Sequence, residues 1–204
     1  MKAFLLFFLV LSFANVRDMQ GTWQFVKEQD GIRMYNRPSQ QSKFNDIKIE
    51  VDLHGTLNQV AAILADAEKY TEWAYGTKTS IIVKKINHYD FVYYSVIDVP
   101  WPASDRDFYA HCKIIHDSSS HSLKVVSESI RNYMPEKKNI VRIPLSRGTW
   151  DIKAMAGNKI HLVYILELDP GGNVPAWLMN IFSTKGPLET FENLKQKLKR
   201  LNRE

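Results

Sequence analysis

Apolar and polar residues alternate along much of the chain, most clearly over 45–54. Ile47, Ile49, Val51 and Leu53 interleave with Asp46, Lys48, Glu50, Asp52 and His54, the two-residue period of a strand with one face on a core and the other in water. Gly55 closes that strand. Thr56 with Gln59 then forms a capping box ahead of Leu57, Val60, Ala61, Leu64 and Ala67, whose spacing predicts a helix over about 57–70. Upstream, 20–29 around Trp23, Phe25 and Val26 reads as a short helix, and 31–38 as a first strand ended by Pro38. Downstream, strands are predicted at about 79–87, 90–98, 105–116, 121–130, 147–155 and 158–168, joined by short polar turns. Such spacing signals an antiparallel meander.

The last two strands turn Trp150, Ile152 and Ala154, then Ile160, Leu162, Tyr164, Leu166 and Leu168, to one side. That long apolar face needs a cover. After the turn sequence Asp169-Pro170-Gly171-Gly172, Pro175 can open a helix carrying Trp177, Leu178, Ile181 and Phe182, with Gly186-Pro187 as a bend. Leu188, Phe191, Leu194, Leu198 and Leu201 follow at spacings of three and four, an apolar stripe along a terminal helix. The fold class is therefore α+β, a curved antiparallel sheet wrapped around a long C-terminal helix. Between them lies either a packed core or an internal hydrophobic cavity.

Composition narrows this picture. With 204 residues, 45% hydrophobic and 24% charged, the chain has ordinary globular balance and room for one domain, read as 20–204. Met1-Lys2 precedes an apolar run from Ala3 to Leu11 and then Ser12-Phe13-Ala14, which predicts a signal peptide over 1–14 and export to a periplasmic or extracellular space. The run is short of the roughly 20 residues of a spanning helix, so an uncleaved membrane anchor is the less favoured reading. Loss of Lys2 with the leader takes the net charge from +5 to +4. That charge does not suggest nucleic acid as a partner. Lys195, Lys197, Lys199, Arg200 and Arg203 gather in the last helix, where they suit its dipole. Cys112 is the single cysteine, so no intrachain disulfide can form.

The most unusual stretch is WPASDRDF, from Trp101 to Phe108. Pro100 and Pro102 disfavour helix around Trp101 and predict an irregular crossing into a strand. Alternation then puts Arg106 with Phe108, Ala110, Cys112 and Ile114 on the apolar face, and Asp107, Tyr109, His111 and Lys113 on the other. A cation on an apolar face must be paired, hydrogen-bonded or hydrated, so it is either structural or meets a ligand. A salt bridge to Asp105 or Asp107 that fixes the crossing is the favoured explanation. Glycine-rich phosphate loops, G-x-S-x-G, H-E-x-x-H and paired CxxC motifs are absent from the chain, which lowers the case for catalysis. His111 falls opposite Cys112 and His116, so no metal site is expected and no cofactor is implied. Ser127 and Tyr164 set hydroxyls on the apolar face, where they could orient a ligand or satisfy backbone groups.

Trp23 with GIRMY, DAEKYTEW, WPASDRDF, VRIPLSRGTW and DPGGNVPAWLMN, in this order and spacing, resemble the StAR-related lipid-transfer (START) domains of the helix-grip superfamily. The resemblance spans nearly the whole chain after the leader. It implies the helix-grip fold with one hydrophobic tunnel for a lipid or other apolar molecule, bound and often transferred without chemistry. A buried acid and arginine line the tunnel of cholesterol-binding members; Tyr93 and Cys112 stand near those places here, which removes that pair. Trp101, Arg106 and Asp107 match motif positions that look structural. Tyr93, Phe108, Cys112, Ser127, Trp150, Tyr164, Trp177 and Ile181 are the cavity candidates. The implied partners are a hydrophobic small molecule and a transient membrane contact, with the protein a monomer. The alternative within the superfamily is an enzyme of the cyclase or hydrolase kind acting on an apolar or aromatic substrate.

Overall fold

Ten strands hydrogen-bond into one curved sheet in the computed structural model, which describes residues 21–203. The predicted leader over 1–14 lies outside those described residues. In chain order the strands are β1 (Gln24–Gln29), β2 (Ile32–Arg37), β3 (Asp46–His54), β4 (Thr77–Asn87), β5 (Asp90–Ile97), β6 (Arg106–Asp117), β7 (Ser122–Ser129), β8 (Val141–Arg142), β9 (Leu145–Met155) and β10 (Lys159–Asp169). Across the sheet the order is β1-β2-β3-β10-β9-β7-β6-β5-β4. Neighbours are antiparallel, and the two-residue β8 runs parallel to the start of β6. The closing strand β10 thus returns beside β3, and the meander seals against the N-terminal hairpin.

The helix predicted over 20–29 is instead the edge strand β1. Asp30 and Gly31 both take positive φ, 50° and 78°, a two-residue turn whose twist matches a hairpin. It pairs Gln29 with Ile32 and Phe25 with Tyr35. A register shift between Phe25 and Lys27 breaks strict alternation, which is why the apolar spacing reads as helical.

The helix α1 (Leu57–Ala65) forms with both halves of its capping box: the Gln59 amide donates to Thr56 Oγ1 at 3.2 Å, and the Thr56 amide donates to Gln59 Oε1 at 2.8 Å. It ends before the predicted residue 70. A 3₁₀ turn over Ala67–Glu72 follows, and the Tyr70 hydroxyl donates to the Leu64 carbonyl at 2.6 Å. That bond folds the turn back on the helix end and holds Tyr70 and Trp73 against the inner face of the sheet.

The cover is a continuous helical path made of α2 (Ala176–Asn180), a π-helical segment at Ile181–Lys185 and α3 (Gly186–Leu201). Leu188, Phe191, Leu194 and Leu198 of α3 are buried. Phe191 sets its ring 5.2 Å from Trp150 and 5.4 Å from Tyr164. At the far side, Lys195 donates to the Asp30 carbonyl at 2.8 Å and Lys197 meets Glu72 at 2.6 Å, so part of the basic cluster ties the helix to other elements.

Candidate functional site

Cross-strand register explains why the inner face is hollow. Phe91, Cys112, Ser127, Gly148 and Leu166 lie side by side across β5, β6, β7, β9 and β10. Three small residues stand together in the middle of that row. One step deeper come Val125, Trp150 and Tyr164; one step further, Leu123, Ile152 and Leu162 are fully buried and close the end. The result is a cavity of about 220 Å³ between the sheet, the Tyr70–Trp73 turn and the C-terminal helix. Half-exposed Tyr75, Thr77, Ile97, Ile181 and Phe182 form its outer end.

Gly148 lets the Tyr164 ring pack close to the β9 backbone. A Cβ there would sit 3.1 Å from both the hydroxyl and Cε2 of Tyr164, whose ring occupies the space a side chain would take. Gly186 plays the same part on the helix, where a Cβ would come within 2.9 Å of the Ile181 carbonyl and 3.1 Å of the Tyr75 ring.

Among the described residues, no charged side chain lines the cavity. Its polar side-chain groups are hydroxyls, one thiol and two indoles. Tyr93 and Ser127 share a hydrogen bond of 2.9 Å, whereas the Tyr164 hydroxyl makes none among the described residues. The Trp73 Nε1–H is buried without a partner. Burial pushes the Tyr93 and Tyr164 hydroxyls well above the ordinary tyrosine range, and it pushes the Cys112 thiol up to about 12, with Asp90 adding to the rise. All three therefore keep their protons at neutral pH.

Of the cavity candidates, Tyr93, Phe108, Cys112, Ser127, Trp150, Tyr164 and Ile181 line this space. Trp177 does not. It sits on the outer side of α2, 41% exposed, because the face of that short helix turned to the protein carries Leu178. Sequence reasoning also missed Gly148, Trp73 and Phe191, all in the lining.

The stretch WPASDRDF forms the expected irregular crossing, but Trp101 and the partners of Arg106 differ from expectation. Trp101 is no packed anchor: it is 91% exposed at the tip of the loop between β5 and β6. Asp105 closes that loop by accepting from the Val99 amide at 3.1 Å and meeting Lys78 at 3.1 Å. Arg106 is buried at 2% exposure, yet the expected salt bridge to Asp105 or Asp107 is not formed. Its guanidinium donates instead to the carbonyls of Ser104 and, at 3.4 Å, Asn173. Burial lowers its pKa, with Asp105 opposing. The DPGG turn thus packs over a buried cation as well as launching the helix. Asp107 belongs to the other face, where Arg142 grips it with 2.7 and 3.2 Å bonds and the Tyr94 hydroxyl donates at 3.1 Å. On that face His111 meets Asp90 at 2.5 Å, away from Cys112.

A curved antiparallel sheet closed by a long helix over an apolar cavity defines a helix-grip protein. The START domain family model matches residues 12–204, and the chain belongs to that family. A STAR-related lipid transfer protein from Xanthomonas axonopodis is 28% identical with a TM-score of 0.78, over 87% of this chain and 98% of that one. Human StAR-related lipid transfer protein 5 shares the fold at 19% identity and a TM-score of 0.79, covering 91% of this chain and 90% of its own. An uncharacterized protein of Pseudomonas aeruginosa is 27% identical over 85% of both chains. The fold extends to a Streptomyces aromatase/cyclase, at 11% identity, a TM-score of 0.55, and coverage of 76% and 93%. Lipid-transfer proteins and cyclases therefore share this architecture.

Proposed function

We propose that the protein binds a lipid or other hydrophobic small molecule in this cavity and carries it without chemistry. The observation that bears most weight is a cavity beneath the C-terminal helix with no charged side chain among the described residues of its lining. Burial of apolar ligand surface is worth about 25 cal/mol per Å² before ordering costs, so affinity there needs few polar contacts. The cyclase alternative draws on the tyrosines of the lining. Against it, Tyr93, Tyr164 and Cys112 hold their protons too tightly to serve as bases near neutral pH, and Arg106 and His111 lie outside the lining. Native mass spectrometry and solvent extraction of the purified protein test the proposal. An apolar molecule retained in the native ion, or bound from a broad lipid panel, is expected; neither appearing would end this reading.

The cavity of about 220 Å³ is smaller than the roughly 300–1,000 Å³ of typical small-molecule sites. A lipid-sized guest therefore requires the cover to move. The π-helical segment at Ile181–Lys185 interrupts the regular ladder beside the outer end of the cavity, as such segments often do at functional sites. In this proposal, ligand passes there when the helix yields.

Donor or acceptor membranes would meet the same end. Tryptophan is usually well buried, and an exposed one prefers the boundary between lipid and water. Trp101 projects from a loop that begins just past the lining residue Ile97. Trp101→Ala is expected to weaken flotation with phosphatidylcholine vesicles several-fold while ligand binding in free solution is unchanged. Equal flotation of both proteins would remove Trp101 as the contact. In this proposal the carrier works in the periplasm or outside the cell, the compartment to which a leader over 1–14 would export it.

A further inference from the structure

We infer that the cavity takes a ligand with an uncharged oxygen function, seated deep against the hydroxyl of Tyr164. This rests on the proposal that the cavity binds an apolar guest and specifies which end of that guest goes in first. Depth follows from the strands. Along β10 the lining runs from Leu168 through Leu166 to Tyr164, and the next inward residue, Leu162, belongs to the filled core. Tyr164 is therefore the innermost lining residue of its strand. Its neighbours on the floor are Trp150, directly opposite it in the register, and Gly148, whose missing side chain admits the phenol.

At that depth a polar group would ordinarily be satisfied by the protein. The Tyr164 hydroxyl makes no hydrogen bond among the described residues, although the adjacent Tyr93 and Ser127 satisfy each other at 2.9 Å. A ligand oxygen meeting Tyr164 would supply what the fold leaves out.

Charge at that end is disfavoured for an independent reason. A carboxylate or phosphate would find no cation in the lining, and an ammonium no carboxylate. Arg106, the buried cation at the start of β6, lies outside the lining and turns its two terminal guanidinium nitrogens to the carbonyls of Ser104 and Asn173. A buried ion without a partner is strongly penalised, whereas a hydroxyl, ester or ketone oxygen needs only the one hydrogen bond on offer.

Four probes of one chain length separate these claims: dodecanol, methyl dodecanoate, dodecanoate at pH 8 and dodecane. Binding can be followed by the fluorescence of Trp150 and Trp73, which line the cavity. Dodecanol and methyl dodecanoate are expected to bind at least tenfold more tightly than dodecanoate or dodecane. Tyr164→Phe keeps the ring that packs on Trp150 and Phe191, and should weaken the alcohol and ester roughly five- to tenfold, the size of one neutral hydrogen bond. Dodecane should bind the variant as it binds the native protein, which controls for misfolding. Dodecanoate binding as tightly as dodecanol, or Tyr164→Phe affecting dodecane as much as dodecanol, would overturn the inference and leave hydrophobic-ligand binding standing. If none of the four binds, the parent proposal fails and takes this one with it.

Discussion

Replacing Asp107 with alanine is expected to lower the unfolding free energy by about 3–5 kcal/mol, the usual cost of stranding one member of a buried ion pair. Asp107 is fully buried on the outer face of β6. Both its oxygens are engaged by Arg142, at 2.7 and 3.2 Å, and one also accepts from Tyr94. Tyr94 stays protonated for that role, because burial first and then Asp107 push its pKa up. The same Arg142 donates to the carbonyls of Met134 and Pro135, at 3.0 and 3.4 Å. One carboxylate therefore anchors the whole connection between β7 and β8 across the sheet, with Tyr133 and Tyr109 stacked beneath it at 5.0 Å. Alanine would leave a largely buried guanidinium without its hydrogen-bonded carboxylate and release that strap. For a chain of this length each kcal/mol moves the melting temperature by about 2–4 °C, so a fall of roughly 6–20 °C should appear in thermal melts. Asp107→Leu combined with Arg142→Met should cost less than Asp107→Ala alone, since no unpaired charge remains. A loss below about 1 kcal/mol in Asp107→Ala would show that the pair behaves like an exposed surface bridge.

That pair also marks where the sequence is legible and where it is not. Alternation sorts Asp107 from Arg106 correctly, because faces of a strand are a local property. Partners are not local: Arg142 lies 35 residues beyond Asp107 and reaches it through the short parallel β8, which is too brief to leave a periodic signal. The capping box at Thr56 and Gln59 is visible because its whole geometry fits within four residues. The β1 hairpin is misread despite its Asp-Gly turn, since one bulge shifts an apolar triplet into helical spacing. The cavity is the same problem at larger scale. Cys112, Ser127 and Gly148 are unremarkable on their own strands, and only the register of two strand pairings, β6 with β7 and β7 with β9, sets them side by side. Trp177 fails as a candidate for a related reason. The helix it belongs to has one face toward the protein, and five residues are too few to show which.

Cys112→Phe should abolish ligand binding, by at least about a hundredfold, while raising the stability of the empty protein. The two effects share one cause. Cys112 stands in the row of small residues that makes the floor hollow, beside Phe91 and Ser127, and its side chain faces the lined space. Enlarging a residue in a close-packed core forces neighbours off their rotamers and costs about 1–3 kcal/mol. Here the added ring has somewhere to go. It would fill apolar space bounded by Trp150, Phe108 and the terminal helix, and cavity-filling changes commonly gain about 0.5–2 kcal/mol. Since the ring occupies the volume a ligand would take, bound ligand should no longer raise the melting temperature, as it must when it binds only the folded state. Cys112→Ala should keep binding, because the thiol makes no hydrogen bond and stays protonated. The measurement is a pair of thermal melts for each variant, with and without a saturating apolar ligand. A variant Cys112→Phe that melts several degrees lower would mean the floor at β6 is already packed. One that is more stable and still binds would place the ligand elsewhere. Higher stability with lost binding is the outcome a hollow floor demands, and it ties function to three small residues that no single strand reveals.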